Sequence, residues 1–263
     1  MSLFKKFAAM TLATAMVFSL AACGSNDAPA DAADGADAEA KTYIIATDTT
    51  FAPFEFQDAS GKYVGIDIEL LEAIAEDQNF KYELQPLGFD AAVQALEAKQ
   101  ADGVIAGMSI TEERAEKFDF SDPYFESGVV MGVAATNDTL TGYDGLAGQK
   151  VAVKRGTEGM TFAESIKDQY GFETVVFDDS SAMCMDVVVG NSVACFEDYP
   201  VMGYGISQGN GLKMVTEKEK GSSYGFAVSK GQNAELLEMF NTGLANLKEN
   251  GKYQEILDKY IQE

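Results

Sequence analysis

Residues 150–177 read KVAVKRGTEGMTFAESIKDQYGFETVVF. Residues 150–153 (K-V-A-V) have the length and composition of a strand, and 174–177 (T-V-V-F) are a second. Between them, Lys154-Arg155-Gly156 is a turn and 157–169 carries a helical pattern. Strand, helix, strand is a βαβ unit, which places parallel strands in one sheet and helices on its faces. Downstream the alternation continues with a helix at 180–189, a strand at 193–196 and a helix at 198–207. Upstream lies a first series. It opens with a strand at 42–47, then a hairpin of 54–56 and 62–64 around Asp58-Ala59-Ser60-Gly61. A helix at 66–79 follows, with apolar residues at 66, 70, 71, 74 and 75, then a strand at 80–85, a helix at 89–99 and a short buried strand at 104–106.

Two extended segments without helix caps, 128–135 and 224–228, separate the two series. Helices at 233–249 and 252–261, split at Asn250-Gly251, end the chain. The expected fold class is α/β, with two lobes joined by two hinge strands. The chain leaves the first lobe near 125–131 and returns near 223–227, and the last helices pack on the first lobe.

The N-terminus has another character. Lys5 and Lys6 are the only charges before Asp27, and an apolar run at 7–22 follows them. A basic region and a short apolar stretch form a secretory signal, too short for a stable membrane span. It ends in Leu20-Ala21-Ala22-Cys23-Gly24, which looks like a bacterial lipobox with Cys23 as the lipidated first residue of the mature chain. An ordinary signal peptide with an incidental cysteine is the alternative. Residues 24–40 hold five acids and no base, a composition that buries nothing and reads as a flexible tether.

The formal charge of −23 argues against nucleic-acid partners and suits a protein outside the cytoplasm. There is no histidine, so Ser-His-Asp and Cys-His catalysis are excluded and nearly all zinc sites with them. No metal and no cofactor is expected. Cys184, expected to open a helix, and Cys195, in the following strand, form an even pair in an exported chain. A disulfide and two buried thiols are both open.

Four features carry chemistry. In Ser109-Ile110-Thr111-Glu112-Glu113-Arg114, Thr111 is a helix N-cap and Arg114 sits in the first turn, a position the helix dipole disfavours by about 0.3–1 kcal/mol. Such a cation suits bidentate capture of a carboxylate, although a surface ion pair is the alternative. The loop 154–159 aims backbone amides past a strand end and lacks the Walker spacing, so a carboxylate fits it better than a nucleotide phosphate, although a routine strand-to-helix turn is the alternative. Asp198 and Asp48 each follow a strand, where open α/β sheets bind ligands. For Asp198 a helix-capping role is the alternative. Phe51 and Phe89 stand at loop or helix-start positions, as core or as contact.

Taken together, A-T-D-T-T-F-A-P-F-E-F (46–56), G-I-D-I-E-L (65–70), A-G-M-S-I-T-E-E-R (106–114), F-S-D-P-Y (120–124), V-A-V-K-R-G-T (151–157) and E-N-G-K-Y-Q-E-I (249–256) resemble the amino-acid-binding proteins of ABC importers, solute-binding family 3. Within that family the likeness to bacterial glutamine-binding proteins is the nearest. The resemblance implies a two-lobed periplasmic-binding-protein fold of type II, with 41–127 and 225–263 as lobe 1 and 128–224 as lobe 2, after a signal peptide at 1–22 and a tether at 23–40. It implies that Arg114, Ser109 and the amides at Thr157 and Glu158 take the ligand α-carboxylate. Asp198 and the Gly107 carbonyl take the α-ammonium, Phe51 and Phe89 sandwich the stem, and Asp48 with Lys154 meets the side-chain end. A carboxylate beside an ammonium satisfies both halves of a terminal amide, which favours glutamine. Two departures stand out. Glu197-Asp198 replaces a frequent His-Asp, which could favour a more cationic ligand. Glu158 replaces a small residue, so its side chain must turn away from the ligand carboxylate.

The implied protein is a monomeric, lipid-anchored receptor on the extracytoplasmic membrane face that hands an amino acid to an ABC permease. Rivals are a receptor for a basic amino acid or cystine, a sensor lipoprotein without transport, and a small lyase or dehydratase on the same fold.

Overall fold

The computed structural model describes residues 41–261. The signal, Cys23 and the tether lie outside the described residues. The chain opens with β1 (Thr42–Thr47), the short β2 (Thr50–Phe51), β3 (Glu55–Gln57) and β4 (Tyr63–Val64), α1 (Ile66–Asp77), β5 (Lys81–Pro86), α2 (Phe89–Glu97) and β6 (Gly103–Val104). Next come α3 (Glu112–Lys117), β7 (Phe118–Phe120), the long β8 (Phe125–Ala134), a 3-10 turn at Tyr143–Leu146, β9 (Lys150–Lys154), α4 (Glu158–Tyr170), β10 (Glu173–Phe177) and α5 (Ser180–Val188). The remainder is β11 (Ala194–Asp198), α6 (Tyr199–Ser207), β12 (Leu212–Met214), β13 (Glu219–Tyr224), β14 (Ala227–Ser229), α7 (Ala234–Glu249) and α8 (Lys252–Tyr260).

The α/β expectation holds, and the strands form two main sheets. The first has the order β5-β1-β6-β14-β7, with β1 parallel to β5 and β6. The second has the order β10-β9-β11-β8-β12, with β9 parallel to β10 and β11 and with β13 paired to β8. β2, β3 and β4 make a separate small sheet. The apolar stripe of α1 is buried as its spacing requires: Ile66, Leu70, Leu71 and Ile74 join Ile45 of β1 in one core. Burial of each such side chain stabilises the fold by about 1.5–3 kcal/mol. Leu236, Phe240, Leu244 and Leu247 of α7 and Ile256 of α8 enter the same core, and Phe240 stacks on Phe226 at 4.5 Å. The last helices therefore pack on the first lobe. The second sheet has its own cores, one around Val151, Val153 and Phe196, another around Met183, Cys195 and Met202.

The two crossings run side by side. β8 and β13 pair antiparallel, with Phe125 opposite Tyr224 and Ser127 opposite Ser222. The expected strand at 224–228 is divided: β13 ends at Tyr224 and β14 begins at Ala227. β7 and β12 carry no clear pattern of their own; each is defined by the strand it pairs with, β14 and β8 respectively. Among the described residues no helix is long and apolar enough to cross a membrane.

Candidate functional site

One cavity between the two lobes is lined by Asp48, Phe51, Phe89, Gly107, Ser109, Arg114, Lys154, Thr157, Glu158 and Asp198, together with Ala106. All ten residues singled out in the sequence converge there, although they span 150 positions of chain from Asp48 to Asp198 (198 − 48 = 150). They come from strand ends and helix starts of both sheets, which bring chain-distant loops to one edge.

Lys154, the last residue of β9, and Asp48, which follows β1, form an ion pair across the cleft, each side chain 1% exposed. The ammonium also lies 3.3 Å from Ser180 Oγ and 5.1 Å from the Phe51 ring centre. Burial pulls the Lys154 pKa down, but Asp48 and Glu197 outweigh it and hold the group above its ordinary value. The pair is thus a buried, charged donor and acceptor at one end of the cavity.

At the other end Arg114 Nη1 donates to Ser109 O at 2.8 Å and Nη2 to Gly156 O at 2.9 Å. The guanidinium carbon stands 5.3 Å from the Phe89 ring centre, in cation–π range. Thr111 caps α3, accepting from Arg114 N at 3.2 Å. However, α3 is six residues long, so Arg114 belongs to its last turn as much as its first. The dipole argument loses its force in so short a helix; the position of Arg114 rests on its carbonyl partners. Thr157 caps α4 by accepting from Met160 N at 3.3 Å, and its hydroxyl donates to Lys154 O at 2.8 Å.

Asp198 departs from the capping alternative. It occupies the N-cap position of α6, but its carboxylate makes no capping bond. It accepts from Tyr224 Oη and from Ser127 Oγ (3.4 Å), residues of the two crossings. Burial, helped by the neighbouring Glu197, pushes the Asp198 carboxyl up to about 7, while Tyr224 and Arg114 oppose the shift. Glu197 is itself buried and accepts Asp198 N–H at 2.9 Å. The Glu158 carboxylate stands 3.9 Å from Arg114 Nη2 and 3.9 Å from Lys220 Nζ. Two cations facing one partly enclosed position attract it there.

Tyr224, Ser127 and Ser180 escaped notice in the sequence. Each lies in a segment recognisable only as a strand or a helix start, with no local signal for its cleft contact. Cys184 and Cys195 are away from the cavity and are free thiols, with Cys184 in the middle of α5 rather than at a helix start.

The description "bacterial extracellular solute-binding proteins, family 3" fits residues 43–263. The arginine-binding extracellular protein ArtP of Bacillus subtilis (strain 168) is 28% identical over 258 residues, 98% of each chain. Substrate-binding domain 2 of GlnP from Lactococcus lactis, solved in an open conformation, is 39% identical, with 86% of this chain and 97% of that one covered and a TM-score of 0.60. An ancestral arginine-binding protein bound to glutamine is also 39% identical, with 84% and 98% covered and a TM-score of 0.78.

Proposed function

The chain belongs to the bacterial extracellular solute-binding proteins, family 3, and we propose that within that family it is a receptor for a polar L-amino acid, glutamine, which it delivers to an ABC permease. The observation that carries this reading is the buried Lys154–Asp48 pair at one end of a cavity whose other end holds Arg114. Lys154 donates to the ligand amide oxygen and Asp48 accepts from the amide nitrogen. A cationic side chain would meet Lys154 as a like charge and an anionic one would meet Asp48, mismatches worth several kcal/mol in a dry cleft. Arg114, with Ser109 and the amides of Thr157 and Glu158, grips the α-carboxylate. Asp198 and the Gly107 carbonyl take the α-ammonium, and Phe51 and Phe89 flank the stem. Because these groups come from both lobes, ligand stabilises the closed form.

A basic amino acid is the second reading, favoured by Glu197 beside Asp198 and by the arginine named for ArtP. Calorimetry of the purified protein with single amino acids decides between them. Glutamine is expected to bind with micromolar or tighter affinity, on the order of −8 kcal/mol. Binding of arginine without glutamine would overturn the assignment.

The ionisation of Asp198 makes binding pH-dependent. An ammonium needs the carboxylate, so affinity falls as pH drops through about 7, by up to about tenfold per pH unit. Stability of the ligand-free protein runs the other way. Asp198 and Asp67 titrate at about 7 and about 6 in the fold, against about 4 in an unfolded chain. The folded state holds these protons more tightly, so their contribution falls as pH rises from about 4 to about 7. Calorimetry and thermal denaturation across this range check both signs.

Cys23 is assigned as the lipid-bearing residue, with the receptor held outside the cytoplasmic membrane. Cys23→Ser is expected to move the protein from the membrane fraction into the medium or periplasm, read by fractionation and immunoblot. An unchanged membrane fraction would contradict the anchor.

A further inference from the structure

Behind the cavity lies a pair of acids that the binding scheme does not use. Glu55, on β3, and Asp67, in the first turn of α1, are both completely buried. Asp67 Oδ2 accepts from Gly107 N at 2.8 Å and from Tyr124 Oη at 2.8 Å. Among the described residues no donor reaches Asp67 Oδ1 or either oxygen of Glu55. The backbone brings the two acids together, since Asp67 N donates to Phe54 O, beside Glu55, at 2.9 Å, and the charge on Asp67 bears directly on Glu55. Two ionised carboxylates in that arrangement, without solvent, would repel and leave three oxygens unsatisfied. One proton between them removes the repulsion and supplies the missing donor.

The surroundings decide which acid carries it. Asp67 has two donors and sits at the N-terminal end of α1, where negative charge is favoured. Glu55 has no such help. Asp48 at the end of β1 adds a second negative charge, and the nearby cation, Lys154 of β9, is already paired with Asp48. Burial, then Asp67 and Asp48, hold the Glu55 carboxyl well above its ordinary range, with Lys154 opposing. The other titratable group facing the pair is Tyr124, whose phenol burial pushes up. Its hydroxyl remains a donor.

What the pair holds in place is the cleft wall and the hinge. Gly107 has φ +53°, and a Cβ there would lie 2.3 Å from the Phe51 ring. Its backbone is therefore locked in a left-handed turn against a residue of the cavity, with its N–H anchored on Asp67. Tyr124 directly precedes the first crossing, β8, and its own N–H donates to Tyr224 O on the second. We propose that Glu55 and Asp67 share one proton, Glu55 as the acid and Asp67 as the anion, and that they act as positioning residues which fix Gly107 for the ligand ammonium and tie the cleft wall to the hinge. The ligand role rests on the receptor reading above; the shared proton does not.

Infrared difference spectroscopy and calorimetry on the full chain test this. The native protein at neutral pH is expected to show a protonated-carboxyl stretch that Glu55→Gln removes. The amide of that variant donates to Asp67 as the acid does, so glutamine affinity stays within about threefold. Glu55→Met has similar bulk and no donor, leaves Asp67 Oδ1 unsatisfied, and is expected to weaken binding about tenfold or more. Absence of a band sensitive to Glu55→Gln overturns the shared proton, even if the methionine variant fails to fold. Equal affinity in the two variants, each shown folded by circular dichroism, overturns the positioning role. If the native protein binds no amino acid, the receptor reading fails while the infrared result still decides the proton.

Discussion

Replacing Arg114 by alanine is expected to reduce affinity for any α-amino acid by about 100-fold or more, since truncating one partner of a desolvated, hydrogen-bonded charge pair costs about 2–5 kcal/mol. Two effects add. The ligand carboxylate loses its bidentate donor. The closed arrangement also loses the cross-cleft bond from Nη2 to Gly156 O, so the competent state becomes less populated. The loss should be common to glutamine and arginine, because the α-carboxylate is common to both. Stability should change little, since the guanidinium is at the cavity and Ser109 O and Gly156 O regain access to water. Calorimetry with thermal denaturation as a folding control reads the result. A folded variant that keeps affinity within tenfold would place the carboxylate elsewhere.

Lys154→Met is expected to have the largest effect on stability. It leaves Asp48 buried at 1% exposure with no counter-ion and removes the charge that offsets Glu197. Breaking a buried pair from one side typically costs about 3–5 kcal/mol, whereas replacing both partners is often neutral. The double variant with Asp48→Asn should therefore recover most of the stability lost in the single one, as read by chemical denaturation. Glutamine affinity should not return in the double variant, because the amide oxygen has lost its charged donor. Specificity should move as well. With Lys154 absent and Asp48 present, the side-chain end becomes anionic and favours arginine or lysine over glutamine. A single variant as stable as the native protein would mean that the pair is not desolvated as the structure has it.

Much of the fold was legible because its signals are local. The stripe of α1, the strand at 150–153 and the break at Asn250-Gly251 are written within a few residues and appear where expected. β7 and β12 were not legible, since three residues carry no periodicity and only a paired neighbour makes them strands. The cavity residues were legible as a set through motifs, but their partners were not. Arg114 was singled out for opposing a helix dipole, and α3 proves too short to possess much of one. Glu158 faces two cations, Arg114 and Lys220, a meeting that no local signal announces.

By itself, then, the sequence determined the α/β class, the order of elements, the two crossings and which polar residues stand at strand ends. Those follow from periodicity, caps and turn residues, whose physics reaches only a turn or two along the chain. The tertiary structure alone decided which charge meets which. Lys154 pairs with Asp48 across 106 positions, and Asp198 leaves its own helix start for Tyr224. Glu55 and Asp67 are buried together, with three carboxyl oxygens that no donor among the described residues reaches. In a buried site the strength and sign of such contacts depend on distance and desolvation, and both are set by sheet order and closure.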